Sequence, residues 1–499
     1  MMNKLKHNIK SMAVACVAAV AMVSCSGVDD SRFVILHTND MHSQMDPSAD
    51  GIGGILRHKV VVDSVKSRVA NVCVVDAGDM VQGTLYYHMY KGKVEAMMMN
   101  QVGYDIAIMG NHEFDNGMKS LLENQYAYLD AAKLASNYDL SATVLDSLFV
   151  PYVIKEAGDR RIAFLGVGLN PKGMISAGKS RGVVYHDAVS VADSLASVLK
   201  TEHKADVVVV LSHLGYDAGN SGLADDLTLA ARSRSIDVII GGHTHKTINP
   251  AKADAPLYRV ANLDGDSVLI AQAGSRGQYV GEISIDLKTL GIQSRLIEIN
   301  SRLDDRVDAQ AEAVLAPYRH TVDSLLAIHV VDSEIELPRD GQALVNMISD
   351  FIKSKGEELC GKCVDVALMN RGGIRNDLPK GAISKGLLMM AFPFDNYITV
   401  MEIKGTDLIA AFEKIAQRNH IGISAIDFDC VDPNKTYRLA TIDYLAEGGD
   451  YLDPLTRGKV IVRSLQPLVD DLVESLLKFK ADGRRVNPVN EKRNYPIKK

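Results

Sequence analysis

The chain has 499 residues, of which 47% are hydrophobic and 23% charged, with 39 Gly and 14 Pro. That composition provides for two or three folded domains and excludes disordered or fibrous repeats. Trp is absent, aromatics are 6% and the formal charge is −7, which excludes a basic, ring-rich surface for a nucleic-acid polymer.

Lys4, Lys6 and Lys10 precede an uncharged run from Met12 to Val23, too short to span a bilayer as a helix. A basic start, a short apolar stretch and a small residue before a break read as an export signal over residues 1–24. The break, Met22-Val23-Ser24-Cys25, resembles a bacterial lipobox. It implies lipidation of Cys25 and a membrane-anchored lipoprotein, periplasmic or at the cell surface; plain secretion is the alternative. Removing the leader removes three Lys and no acid, taking the formal charge from −7 to −10. Cys73 sits in an apolar run and reads as a buried thiol. Cys360-Gly-Lys-Cys363 lacks the second pair that a zinc ribbon needs, and in an exported protein a local disulfide is expected there rather than a redox site.

From Phe33 onward, apolar runs alternate with helical patterns. The runs are Phe33–Leu36, Val72–Val75, Ile106–Met109, Ile162–Val167, Val207–Leu211 and Val238–Ile240; the helices include Gly54–Arg68, Val191–Lys200 and Leu223–Arg232. Uninterrupted apolar strands alternating with helices predict an α/β sheet buried on both faces. Ser267–Ala271, Tyr279–Asp286 and Gln293–Ile299 read as antiparallel strands closing this first domain, residues 32–300. The charged stretch Leu303–Ala327 reads as a solvated joining helix within a linker at 301–329. Helices Gly341–Lys355 and Leu408–Gln417 and strands Val364–Met369, Tyr397–Ile403 and Tyr437–Thr441 predict a second α/β domain over 330–499.

The chemistry sits where the strands stop. The first run ends in His37-Thr38-Asn39-Asp40-Met41-His42 and the second in Asp76-Ala77-Gly78-Asp79. The third ends in Gly110-Asn111-His112-Glu113-Phe114-Asp115, and two later ones in Ser212-His213 and Gly241-Gly242-His243-Thr244-His245. Any one of these could be a turn or a cap. Five together, all at carboxyl ends of strands, predict one convergent pocket. Oxygen and imidazole donors without thiolate suit two divalent ions such as zinc or manganese. Four positive charges, less two for Asp40 and Asp79 and one for a hydroxide, leave about +1 for a phosphate dianion.

These signatures resemble the calcineurin-like metallophosphatases, and within them the 5′-nucleotidase family. The resemblance implies an amino-terminal metallophosphatase β-sandwich flanked by helices, a joining helix and a carboxy-terminal nucleotide-binding domain. It implies one metal held by Asp40, His42, Asp79 and His245. The other would be held by Asp79, Asn111, His213 and His243, with Asp79 shared. At His245 several 5′-nucleotidases carry an amide instead. His112 and Asp115 match the catalytic pair; a carboxylate three residues on can hold the imidazole and favour its charged form. A water activated between two metals needs no covalent enzyme intermediate.

Asn370-Arg371-Gly372-Gly373-Ile374-Arg375 resembles the family's substrate motif, with Arg371 and Arg375 both expected on phosphate oxygens. Phe392-Pro393-Phe394-Asp395-Asn396 and Tyr444–Asp450 resemble the segments that grip the nucleoside. That implies a base between Phe394 and Tyr444, with Asn396 reading its edge and Asp450 accepting from the ribose. Gln342-Ala343-Leu344 departs from the usual Leu-Gly-Asn. The expected activity is hydrolysis of nucleoside 5′-monophosphates. The alternatives are a 2′,3′-cyclic-nucleotide phosphodiesterase with 3′-nucleotidase activity, a nucleotide-sugar hydrolase, or a non-catalytic nucleotide-binding surface lipoprotein. The partners implied are a nucleotide and a membrane lipid, with no obligate protein partner evident.

Overall fold

The structure is a computed structural model that describes residues 27–219, 223–418, 421–424 and 431–491. The export signal and Cys25 lie outside the described residues. Strand Asp29–Thr38 carries the first apolar run: Phe33 and Ile35 enter one core, Val34 and Leu36 another. In strand Val207–His213, Val207, Val209 and Leu211 join Phe33 and Ile35, while Val208 and Val210 face the opposite side. Every position is apolar because both faces are covered.

Two six-stranded sheets result. One orders Ile292–Glu298, Tyr279–Asp286, Asp29–Thr38, Val69–Asp76, Ile106–Ile108 and Ala132–Leu134. The other orders Arg259–Ala261, Ser267–Ala271, Val238–Ile240, Val207–His213, Arg160–Gly168 and Tyr152–Ala157. They stack through a shared inner core in which Phe33 of one and Phe164 of the other lie 6.4 Å apart between ring centroids. Helix Ile55–Lys66 packs outside the first sheet and Ala188–Thr201 outside the second. The first domain is thus a β-sandwich flanked by helices.

Sequence expectations change at two places in and beside this first domain. Ser267–Ala271 runs parallel to Val238–Ile240 and pairs antiparallel with Arg259–Ala261; it lies in the other sheet from Tyr279–Asp286. The short strand Arg259–Ala261 turns the chain back and so restores the parallel direction. The joining helix, Ala309–Leu326, is capped by Asp308, whose carboxylate accepts from Gln310 and Ala311 N–H at 2.8 Å each. It is not solvated all round: Ala311, Leu315 and Val322 are buried, with Tyr318 and Leu325 packed beside them. Spacings of three and four place these on one stripe, with the charges elsewhere.

The second domain holds a five-stranded sheet ordered Ile421–Ser424, Val366–Asn370, Thr436–Ile442, Ile398–Lys404 and Lys459–Arg463. Helix Gln342–Cys360 packs on it through Leu344, Ile348 and Ile352. Cys360 and Cys363 are free thiols, not the expected disulfide: Cys360 ends the helix and its Sγ donates to the Lys362 carbonyl at 3.3 Å. Among the described residues no helix is long and apolar enough to cross a membrane.

His37, the first residue of its motif, is buried under the opposite strand. It pairs in register with Gly281, where an added Cβ would stand 1.9 Å from His37 Nε2. Burial pushes its imidazole down to about 4, so it is neutral and serves packing. Gly281→Ala should overpack this point and destabilise the fold by about 1–3 kcal/mol. Thermal unfolding would register this as a lower Tm; an unchanged Tm would show that the ring has room to turn away.

Candidate active site

The five loops meet at one end of the sandwich, three from the first sheet and two from the second. Beyond the paired strands Asp29–Thr38 and Val69–Asp76 the backbones stay tied. Asp40 N–H donates to the Gly78 carbonyl at 2.9 Å, His42 N–H to Asp79 at 3.0 Å and Ser43 N–H to Met80 at 3.0 Å. Gly110 opens the third loop where an added Cβ would lie 2.2 Å from Asp79 Oδ1, so only glycine lets the loop approach that carboxylate. Asp40, His42, Asp79, His243 and His245 all have positive φ, between 47° and 70°. Left-handed backbone at residues with a Cβ is strained, and its clustering here is typical of a functional site.

Two donor groups form. Ligand atoms of Asp40, His42 and His245 lie within 4.8 Å of one another, as do those of Asp79, His213 and His243. The Nε2 atoms of His42 and His245 face each other at 2.9 Å, and His245 Nε2 stands 3.5 Å from Asp40 Oδ1. His213 Nε2 stands 3.1 Å from Asp79 Oδ2 and 4.0 Å from Asp40 Oδ1. Asn111 Oδ1 lies 2.9 Å from His243 Nδ1. Asp79 also groups with His42 and His112, which puts it between the two sets.

Asp40 and Asp79 are 0% and 2% exposed, and among the described residues no Lys or Arg pairs with either. Burial opposes their charge, yet the surrounding histidines hold both below the usual carboxylate range. Burial pushes His42 down to about 3 and His243 to about 4. Burial also opposes charge on His213, but Asp79 and Asp40 beside it push it up to about 10. His213 Nδ1 donates to the Ala77 carbonyl at 2.8 Å, which turns Nε2 towards the carboxylates; Nε2 itself is buried without a hydrogen-bond partner among the described residues. A ring nitrogen pinned on one side and aimed at a carboxylate on the other is the arrangement of a metal-binding histidine. The donors therefore fit divalent ions, with oxygen and nitrogen atoms and no sulfur.

His112 lies at the cavity edge of this cluster. Burial lowers its pKa, but Asp115 and Asp79 prevail and raise it above the usual value. Asp115 Oδ2 lies 2.8 Å from His112 Nδ1 and fixes the ring. On the other side Arg375 Nη2 lies 3.0 Å from His112 Nε2, and its guanidinium stands over the Phe394 ring, 5.7 Å from the centroid. Phe394 in turn stacks on His112 at 6.0 Å. A cavity of about 280 Å³ is lined by Asp79, Asn111, His112, Asp115, His243 and His245 at one end. Arg375, Phe394, Asn396, Tyr444 and Asp450 complete it from the second domain. Tyr444 Oη donates to Asp450 Oδ1 at 3.0 Å and accepts from Asp450 N–H at 3.1 Å.

Arg371 departs from expectation and does not line this cavity. Its guanidinium donates to the carbonyls of Asp340 and Gly341 at 3.1 and 3.2 Å, and to Gln342 Oε1 at 2.7 Å. The turn at Arg371–Gly373 sends two arginines four residues apart in different directions. Sequence reading also missed Glu113 and Asn370. Glu113 is fully buried and its carboxylate accepts from the N–H groups of Gly110, Asp79 and Met80 at 2.6, 3.1 and 2.9 Å. Burial, then the charge of Asp79, push its carboxyl up to about 8 against those three donors. In the sequence it is one acid among the mostly polar residues of the loop Gly110-Asn111-His112-Glu113-Phe114-Asp115. Asn370 lines the cavity with a buried Oδ1 that has no hydrogen-bond partner among the described residues.

Residues 33–247 match the calcineurin-like phosphoesterase family, and residues 330–426 match the 5′-nucleotidase C-terminal domain. The chain is 26% identical to a trifunctional nucleotide phosphoesterase protein of Bacillus subtilis, over 83% of this chain but only 32% of that longer protein. It is 27% identical to a 5′-nucleotidase of Rattus norvegicus, over 78% of this chain and 72% of the relative. Among solved structures, a 5′-nucleotidase precursor from Thermus thermophilus superposes with a TM-score of 0.78 at 27% identity, covering 90% of this chain and 97% of that one.

Glu113→Gln should set an amide N–H against one of the three backbone donors and loosen the loops carrying Asp79 and Asn111. Affinity for zinc or manganese should fall by about tenfold to a hundredfold in a metal titration of the purified variant. Wild-type affinity would reduce Glu113 to a packing residue.

Proposed function

We propose that this chain, which belongs to the calcineurin-like phosphoesterases with the two-domain 5′-nucleotidase architecture and is a phosphoric ester hydrolase, hydrolyses nucleoside 5′-monophosphates to nucleoside and phosphate. One observation carries the reading: a single cavity joins the carboxylate–histidine cluster around Asp79 to the rings of Phe394 and Tyr444. A phosphate at one end and a base at the other describe a nucleotide.

In this reading Asp40, His42, Asp79 and His245 hold one divalent ion, and Asp79, Asn111, His213 and His243 hold a second, zinc or manganese by the donor types. When bound, the ions supply Lewis acidity that offsets phosphate charge and makes water nucleophilic at neutral pH. Arg375 meets phosphoryl oxygens from the second domain. Because its guanidinium points into His112 Nε2, the phosphate takes over that donor and frees the imidazole. His112, held by Asp115, then places a proton at the departing ester oxygen or on a phosphoryl oxygen. Phe394 and Tyr444 stack the base, Asn396 meets its edge, and Asp450 accepts from the ribose while Tyr444 steadies it. Arg371 is left to anchor the start of helix Gln342–Cys360.

The proposal extends to an exported lipoprotein attached through Cys25, supported by the basic start, the short apolar run and the small residue before that cysteine.

Phosphate release from AMP, UDP-glucose and 2′,3′-cyclic AMP tests the substrate. AMP should be turned over fastest, chelation should abolish turnover, and returned zinc or manganese should restore it. Silence on AMP with metal supplied would overturn the reading, and a preference for either of the others would move it within the fold. Separately, His112→Ala should lower kcat on AMP by about 10²–10⁴-fold; an unaltered kcat would remove the imidazole from the reaction.

A further inference from the structure

Asp395 stands between Phe394 and Asn396, which both line the cavity, yet it does not line the cavity itself. Its carboxylate turns instead to the first domain, where Oδ2 lies 2.7 Å from Lys91 Nζ. Both side chains are half-buried, at 29% exposure each, so the pair is screened less than one on the open surface. Among the described residues no other ion pair joins the first domain to the second.

Lys91 is presented by a fixed turn. It follows helix Leu85–Tyr90 in the left-handed region, at φ 54°, and its N–H donates to the Tyr87 carbonyl at 2.7 Å. Helices end most readily there on glycine, so a lysine in that conformation is strained. Gly92 comes next at φ 102°, where an added Cβ would stand 2.3 Å from Gln125 Cγ. Gln125 is buried, and its Nε2 donates to the Glu113 carbonyl at 3.4 Å. Within the helix, Tyr87 Oη accepts from Asn116 Nδ2 at 2.8 Å. The turn that carries Lys91 is therefore tied to the same loop that carries His112 and Asp115. At the other end of the pair, Asn396 is held by its carbonyl, which accepts from Leu468 N–H at 2.7 Å, and Phe394 stacks on His112.

We propose that Lys91 and Asp395 act together as positioning residues for the nucleoside end of the substrate. The pair sets Phe394 and Asn396 at a fixed distance from the His112 loop, so that one nucleotide meets both ends of the cavity at once. Neither residue touches the substrate. Breaking the pair frees the segment between Phe392 and Asn396 to shift, and leaves every group at the Asp79 end in place. This inference rests on the nucleotide-hydrolase reading.

The test is AMP turnover by the full chain with zinc or manganese supplied, inhibited separately by adenosine and by inorganic phosphate. Lys91→Ala and Asp395→Asn should each raise KM for AMP and Ki for adenosine about three- to tenfold, with Ki for phosphate unchanged. Lys91→Arg, which keeps the charge, should retain most of the affinity for adenosine. The double variant should lose no more than either single one, because the two side chains act through each other. An unmoved Ki for adenosine, an equal rise in Ki for phosphate, or losses that add in the double variant overturns the inference. In each of these cases an unmodified chain that cleaves AMP leaves the nucleotide reading standing. An unmodified chain that leaves AMP intact sinks both.

Discussion

Two carboxylates, Asp40 and Asp79, are shut away from water with no Lys or Arg beside them among the described residues. An ionised group in that position is strongly unfavourable unless positive charge compensates it. The imidazoles around them supply it only by taking protons: His213 is pushed up to about 10 and can do so, while burial pushes His42 and His243 down to about 3 and 4. Under the proposed function, cations at the two donor groups would resolve the arrangement. The tied loops, the pinned His213 ring and the Glu113 bracket all follow from the need to keep these charges close together. Asn39 belongs to the same apparatus: its amide donates to Asp40 Oδ2 at 2.6 Å and to the Gly274 carbonyl at 2.7 Å, holding the carboxylate at a fixed angle.

The strained backbone of the site is offset by the regularity beneath it. Left-handed residues of this kind are unfavourable by about 1–3 kcal/mol each. They persist because each lies just beyond a strand or loop fixed on both sides by hydrogen bonds, over a core of branched aliphatic side chains. The second domain adds side chains and the backbone of Gly372 and Gly373 to this end of the sandwich. It covers the cluster with Arg375 and Phe394, and it supplies the end of the cavity lined by Asn396, Tyr444 and Asp450.

Much of this could be read from sequence because strands and ligands share one logic. Fully apolar runs ending in Asp, His or Asn are legible as buried strands with polar tips, and parallel strands bring their tips to one edge. Residues acting through the backbone were invisible. Glu113 looked like any loop acid until its three N–H partners were seen. Spacing could not tell that Arg371 turns to Gln342 while Arg375 turns to His112, because a turn decides both directions. The joining helix misled for the opposite reason: Asp304, Asp305, Arg306 and Asp308 crowd the segment just before it, while its buried stripe is made of a few small and aliphatic residues.

The stack of two sheets also acts as a gauge. Asp40, His42, Asp79 and Asn111 ride on one sheet, and His213, His243 and His245 on the other. The gap between these rows is set by the thickness of filler such as Phe33 and Phe164, remote from any reactive atom. Shaving that filler would let the two rows drift, spreading the donor atoms apart while every donor side chain remained intact.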